Sequence, residues 1–510
     1  MNINTAGVFL STLSTGRSNS IIELIPLLSI MILMIGAFII PLLKKKHIVY
    51  KFSLALMGLI FIMNIVNIAY IAKHGFYIFD IGHFPAPFGI VLRIGEVESA
   101  IGLLFTFVIM MVSWYSFYSL EKEIKEKRVS FFYTLCCLLL ASLLGIVYTY
   151  DIFNGFVFLE VSTLSACGII IVKDEKANIK AAIKYLILSS LGSGLVLMAI
   201  AFIYSITGHL SMQYINEVLV TNTAGNNNLI LISIILFTIG LGIKGAMFPL
   251  HVWLPDAHSS APSPSSAILS ALVIKAPIIF LIKIFYLVYG YEIISGTVIL
   301  DLLLLFGSLG MILGSLFARS QKELKRMIAY SSVAQMGYIF FAIGLGNKLG
   351  LVMAIYHIIA HAVTKSSLFL AAGSFIEQTG FKKIDEIRGI GKEMPVTLGI
   401  FTISALSMIG IPVLPGFISK WNLALASIES GKIFLLVIIL ISSLLNAVYY
   451  FPIIINGYFG EENLDGKVFN SKSKPMKELM PLIILSISMV LVGFLSGIVI
   501  DFIEKGIYFI

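Results

Sequence analysis

The chain has 510 residues, of which 58% are hydrophobic and only 12% charged, a balance that excludes a water-soluble globular domain. Apolar runs of about 20 residues recur along its whole length, and a helix of that length crosses a bilayer core. The formal charge of +8 follows membrane topology in its distribution, so no nucleic-acid partner is expected and the expected surroundings are lipid.

Fourteen transmembrane helices are predicted, at 21–43, 52–71, 99–120, 131–149, 151–172, 181–207, 229–249, 261–289, 298–318, 327–345, 349–375, 396–422, 433–459 and 480–502. The fold class is all-α and polytopic. Only Tyr150 and Asp151 separate the fourth and fifth spans. Residues 1–20 are polar with Arg17 as their one base, so no cleavable signal peptide is expected and the first apolar run reads as a retained anchor. The connections near 72–98 and 208–228 are the longest, and both are too short for a soluble domain.

Charge tests the count. Connections after odd-numbered spans, from Lys44, Lys45 and Lys46 to Lys467, Lys472, Lys474 and Lys477, hold 23 of the 35 basic residues. The opposite side holds six: Arg17, Lys73, Arg93, Lys348, Lys432 and Lys505. Cytoplasmic loops carry the excess of Lys and Arg, so both termini are expected on the outer side of the plasma membrane. The remaining six bases, Lys184, Lys244, Lys275, Lys283, Lys365 and Lys420, lie inside spans.

Two spans share a design. Span seven reads GIKGAMFPLHVWLP and span twelve SMIGIPVLPGFISKW, each with helix-breaking residues beside a lysine. Proline removes a backbone donor and kinks a helix, and such breaks at membrane depth are tolerated where they line an enclosed or hydrated cavity. Paired breaks five spans apart suggest a repeat. The expected organisation is 1–130 for spans one to three, 131–290 for a first five-helix repeat, 298–460 for a second, inverted repeat, and 461–510 for the last helix.

Charges within spans are costly, by about 2.5–3.5 kcal/mol at the bilayer centre, and mark candidate sites. Glu160 sits mid-span in FVFLEVSTLSACG. Burial and a neighbouring lysine act oppositely on a carboxyl, so a Glu/Lys pair can exchange protons when its separation changes. Lys244 and Lys275 lie some 14 or 15 residues into their spans, too deep to snorkel readily to water. Lys283, nearer a span end, is expected to snorkel. His357, His361 and Lys365 follow one another at four-residue intervals and form one polar stripe on a helix. Two histidines so spaced can bind zinc, but no third ligand of suitable spacing accompanies them, and a hydrogen-bonded water wire is the better reading. His258 is expected to link Lys244 to Lys275 through water, and His251 either joins that path or caps the broken helix. Asp151 is read as a helix cap or a pathway residue, and Lys184 as tuning the Glu160/Lys244 pair or snorkelling. Lys420 ends the second break. Cys136, Cys137 and Cys167 lie in apolar runs with no CxxC pair, so no iron–sulfur or other cofactor is expected on this chain. Any electron chemistry belongs to another subunit.

FVFLEVSTLSACG, GIKGAMFPLHVWLPDAHSSAPSPSSAILSALVIK, HIIAHAVTKSSLFLAAGSFI and IPVLPGFISKW resemble the antiporter-like subunits of respiratory complex I, of Mrp-type cation/proton antiporters and of membrane-bound hydrogenases and sulfur-reducing complexes. The resemblance spans roughly 100–460 and implies fourteen helices with two inverted repeats. By motif it implies a glutamate–lysine pair at Glu160 and Lys244, a central Lys275 with His258, a histidine-bearing helix with His357, His361 and Lys365, and an exit residue at Lys420. Some family members carry glutamate at the exit, which argues against those subunit types. The short C-terminal end lacks the lateral helix of the largest paralogue, and the FLEV context looks nearest to Mrp D-type and hydrogenase-type members. The implied function is proton translocation, alone or as Na+/H+ antiport, within a multisubunit complex. Its partners would be small and antiporter-like membrane subunits, with a peripheral redox arm in the hydrogenase case. The rival readings are a stand-alone secondary cation/proton antiporter and a non-conducting membrane scaffold.

Overall fold

The computed structural model describes residues 21–221, 227–460 and 475–507; Arg17, Lys467, Lys472 and Lys474 of the charge count lie outside the described residues. Among these residues thirteen helices are long and apolar enough to cross a membrane. They are α1 (Ile21–Leu42), α2 (Lys46–His74), α3 (Glu96–Glu123), α4 (Glu126–Tyr148), α5 (Ile152–Ile171), α6 (Lys176–Thr207), α7 (Asn227–Lys244), α8 (Ser263–Tyr289), α9 (Ile299–Arg319), α10 (Leu324–Gly344) and α11 (Lys348–Thr379), then α14 (Phe434–Phe459) and α15 (Met476–Phe494). Between α11 and α14, where the twelfth span is expected, lie two shorter helices, α12 (Pro395–Ile409) and α13 (Pro415–Glu429).

The local chemistry explains the boundaries. Asp151 separates α4 from α5 by accepting the Asn154 N–H at 2.7 Å, an N-cap that satisfies one of the helix's free donors. Asn347 starts α11 in the same way, accepting from Gly350 N at 2.9 Å. At its far end Gly380 turns into the left-handed region at φ 73°, which glycine adopts without steric cost.

The breaks are sharper than the sequence suggests. The span expected to run to 249 has its helix stop at Lys244, and an irregular segment leads to a short helix, Leu254–Ser260. The expected span 396–422 is interrupted between Ile409 and Pro415. Each break holds a non-glycine residue in the left-handed region, Ala246 at φ 54° and Val413 at φ 76°. Such backbone is costly and persists where packing over-determines it. Here the Trp253 indole donates to Ile243 O at 3.0 Å and pins the first break.

Three helices, α8, α10 and α11, are almost wholly buried, whereas α1, α2, α6 and α14 keep large apolar side chains on the outside. The bundle is thus a buried core inside a ring of helices with apolar outer faces suited to lipid. Helices α9 and α10 approach closely through glycines: a Cβ on Gly337 would meet Met311 N at 2.6 Å and Gly307 O at 2.7 Å. Small residues at such interfaces let backbones touch where no hydrophobic effect drives association.

One connection carries unexpected local structure, and one expectation needs correction. The connection near 72–98 contains an antiparallel hairpin, β1 (Tyr77–Asp80) paired with β2 (Val91–Ile94), with Tyr77 opposite Ile94. Four-residue strands are too short to give a clear alternating pattern. Lys283 does not snorkel: it is 4% exposed. Its ammonium donates to Val147 O at 2.7 Å and Thr149 O at 2.6 Å and lies 3.6 Å from Glu98. Glu98 also accepts from Arg93 at 2.7 Å, so Arg93, counted as a loop charge, is a buried partner.

Candidate functional site

Glu160 projects from the middle of α5 and Lys244 from the last turn of α7. Their charged atoms are 3.4 Å apart. Ser193 on α6 donates to the Glu160 carboxylate, and Lys244 donates to Thr163 Oγ1 at 2.6 Å. The pair is asymmetric: the lysine side chain is 4% exposed and the glutamate 36%. The C-terminal position of Lys244 is favourable in itself, since a helix's last carbonyls present negative charge.

Lys275 occupies the centre of α8, fully buried. The preceding turn, Leu269–Val273, is a π-helix, a widened turn often found at functional positions. The Lys275 ammonium donates to the carbonyl of Ser270, within that turn. His258, His361 and Lys365 surround it. His258 lies within electrostatic reach of Lys325, Lys275 and Lys365, and His361 within reach of Lys275, Lys365, His357 and His258. The His258 ring stacks on Phe369 with centroids 4.9 Å apart. Lys365 donates to Ile328 O at 3.0 Å, to Ser331 Oγ and to the Tyr450 hydroxyl at 3.4 Å.

From there the constellation continues along α11 towards the second break. The His357 and His361 rings are 6.1 Å apart, and His357 Nδ1 is 2.8 Å from Ser419 Oγ. Ser419 adjoins Lys420, whose ammonium donates to Met408 O at 2.7 Å and Ile409 O at 3.0 Å and sits 4.9 Å from the centre of the Tyr338 ring. Those carbonyls are the end of α12, so at both breaks a lysine meets a helix C-terminus.

Lys275, His258, His357, His361, Lys365 and Lys420 are therefore brought together, while Glu160 and Lys244 form a separate end. Among the described residues no hydrogen bond or ion pair joins Lys244 to Lys275. The basic neighbours of His258 are Lys325, Lys275 and Lys365, and the Leu254–Ser260 helix carries its ring against Phe369 of α11. Lys184 is not joined to the Glu160/Lys244 pair either: it pairs with Asp256 at 2.7 Å. His251 stacks on Phe248 with centroids 5.1 Å apart, and its Nδ1 has no hydrogen-bond partner among the described residues. Asp151 acts as the cap of α5, and burial pushes its carboxyl above the usual range.

Further residues join the site without a mark in the sequence. Gln335 on α10 is fully buried with both amide atoms unpaired among the described residues, as are both ring nitrogens of His258 and His361 and Nε2 of His357. Buried polar atoms are normally paired with protein or water, so this row offers donors and acceptors to water along the axis. Gln335 is an uncharged residue within an apolar run, and no pattern of charge or spacing points to it. The Ser/Pro turn after His258 is held from outside, with Glu123 accepting from Ser263 N at 3.0 Å and Lys325 donating to Ala261 O at 2.5 Å. In the sequence both are merely charges near span ends.

Residues 149–446 match the family described as NADH:quinone oxidoreductase/Mrp antiporter, transmembrane. The chain is 38% identical over 375 residues to the N subunit of an NADH-quinone oxidoreductase of Desulforudis audaxviator, covering 73% of this chain and 74% of that one. It is 30% identical over 456 residues to the D subunit of a Na+/H+ antiporter of Alkalihalophilus pseudofirmus, covering 89% and 90%. Among solved structures it is similar to a chain of the membrane-bound sulfane sulfur reductase, an archaeal respiratory membrane complex, with a TM-score of 0.85 at 28% identity over 94% of this chain and 96% of that one. A chain of the Mrp complex from Dietzia sp. shares the fold, with a TM-score of 0.85 at 18% identity over 95% and 97%. The chain with this buried lysine–histidine axis and two broken helices belongs to the NADH:quinone oxidoreductase/Mrp antiporter transmembrane family.

Proposed function

We infer that the chain is the ion-translocating membrane subunit of a multisubunit complex and that protons are the ion handled along its central axis. The observation that carries this reading is the buried row itself. Lys244, His258, Lys275, His357, His361, Lys365 and Lys420 are each no more than 5% exposed. Burying so many basic groups for stability alone is unfavourable. They cannot all be charged at once without large cost, and groups that share protons are the means of passing them on.

In this reading Glu160 and Lys244 form one end of the path. A change in their 3.4 Å separation alters the proton affinity of Lys244. Lys275 with His258, His361 and Lys365 is the midpoint, and His357 and Lys420 lead out at the second break. The shared features of the two breaks support the division into repeats at 131–290 and 298–460, the second inverted, and the excess of bases after odd-numbered spans supports termini on the outer side of the plasma membrane. Glu160 keeps 36% of its side chain open on the outer surface of the bundle. A carboxylate at that depth fits contact with a neighbouring membrane subunit, and such a neighbour would be the source of the driving signal. Moving one charge against 100 mV costs about 2.3 kcal/mol. That energy would come from a peripheral redox arm or from a sodium gradient.

The test is proton pumping or antiport in vesicles carrying the complex with Glu160→Ala or Lys244→Ala. Loss of ion movement in each is expected; parental activity in both would refute the reading.

A further inference from the structure

Outside the central axis, α6 carries Lys176, Lys180 and Lys184 at four-residue intervals, beside a second row formed by Ile179, Ile183 and Ile187. Residues four apart share a helix face, so a cationic ridge and an apolar ridge run side by side. The isoleucines are open, at 39%, 52% and 64%. A groove of about 850 Å3 lies beside them, bounded by α6, the Val252–Ser260 segment and the start of α10. A smaller hollow of about 250 Å3 continues it past Lys176 and Ile179.

The groove is polar at one end and apolar along its length. Its polar end holds Lys180, Lys184 and Arg326 against a single carboxylate, Asp256. Asp256 is already shared, 2.7 Å from Lys184 and 3.2 Å from Arg326. Lys180 makes no ion pair among the described residues. The site therefore has two cations more than anions. It lies where α6 and α10 begin, beside connections in which lysines cluster, the end of a span where lipid headgroups are expected. Basic pockets between transmembrane helices at that level suit anionic headgroups, and each nearby Lys or Arg contributes about 1 kcal/mol to such binding.

We propose that this groove binds an anionic phospholipid. Its phosphate is held between Lys180 and Arg326, with Lys184 shared between that phosphate and Asp256, and an acyl chain lies along Ile183 and Ile187. A free phosphate would satisfy the cations but leave the apolar ridge uncovered.

The test uses the intact complex, delipidated in detergent and offered phosphatidylglycerol and phosphatidylcholine in equal amounts, with bound lipid read by native mass spectrometry. The wild-type complex should retain phosphatidylglycerol over phosphatidylcholine by about tenfold or more, undiminished by excess inorganic phosphate. Lys180→Gln with Arg326→Gln should abolish the preference, whereas Lys127→Gln, an exposed lysine on the same membrane face, should not. Equal retention of both lipids by the wild type would overturn the proposal without reference to any variant. So would displacement by inorganic phosphate, a preference that survives the double substitution, or a cross-link from Lys180 showing a neighbouring subunit seated in the groove.

Discussion

Removing the charge of Glu98 gives a direct measure of how this bundle tolerates buried ions. The carboxylate accepts from Arg93 at 2.7 Å and from Gly95 N at 3.1 Å, and it stands 3.6 Å from the Lys283 ammonium. Both Glu98 and Lys283 side chains are 5% exposed. At an effective dielectric of about 20, one ion pair at this separation is worth about 4–5 kcal/mol. Glu98→Gln keeps the shape and an acceptor for Gly95 but removes the negative charge that Arg93 and Lys283 share. Lys283 retains its two backbone acceptors, so the net loss should be near the about 3–5 kcal/mol measured when buried pairs are broken. Cys136, Cys137 and Cys167 are free and buried, so a thiol-reactive fluorophore reports unfolding in detergent. Glu98→Gln should lower the unfolding midpoint by several degrees. Adding Lys283→Met should cost less than the sum of the two single changes by more than about 1 kcal/mol. Wild-type stability in Glu98→Gln, or strict additivity in the double variant, would refute the reasoning.

Gly337→Ala should destabilise the chain by about 1–3 kcal/mol, because its methyl would collide with the α9 backbone; Gly194→Ala on α6, where the added carbon meets no described atom within 4 Å beyond its chain neighbours and its own helix backbone, should be close to neutral in the same thiol assay. Asp151→Ala should cost about 1 kcal/mol through loss of the α5 cap, and Asp151→Asn should recover most of it, since asparagine caps equally well.

Thirteen of the fourteen expected spans and the two breaks are legible because both are written in one dimension. A 20-residue apolar run reads directly as a span, and a Pro/Gly cluster beside a lysine reads as a break. Lys244 and Lys420 stand out for that reason, and the one-helix stripe of His357, His361 and Lys365 because helical spacing is fixed. Pairings between distant segments leave no such trace. Glu98 with Lys283 joins residues 185 apart in sequence, and Asp256 draws Lys184 away from Glu160 from 72 residues downstream. Distance from a span end suggests that Lys283 would snorkel; the carbonyls of Val147 and Thr149 offer it a nearer partner. The true neighbours of His258 are hidden in the sequence because the direction of the chain after Pro249 depends on tertiary packing, with Trp253 anchored on Ile243.

The claim most exposed to experiment is that protons cross through the fully buried centre at Lys275. Acidification of proteoliposomes containing the complete complex, followed with an entrapped pH dye, tests it in the Lys275→Met variant after assembly has been verified by size and subunit content. Proton movement should fall to the level of empty vesicles while the complex remains intact. Proton movement at the wild-type rate in that assembled variant would contradict the account.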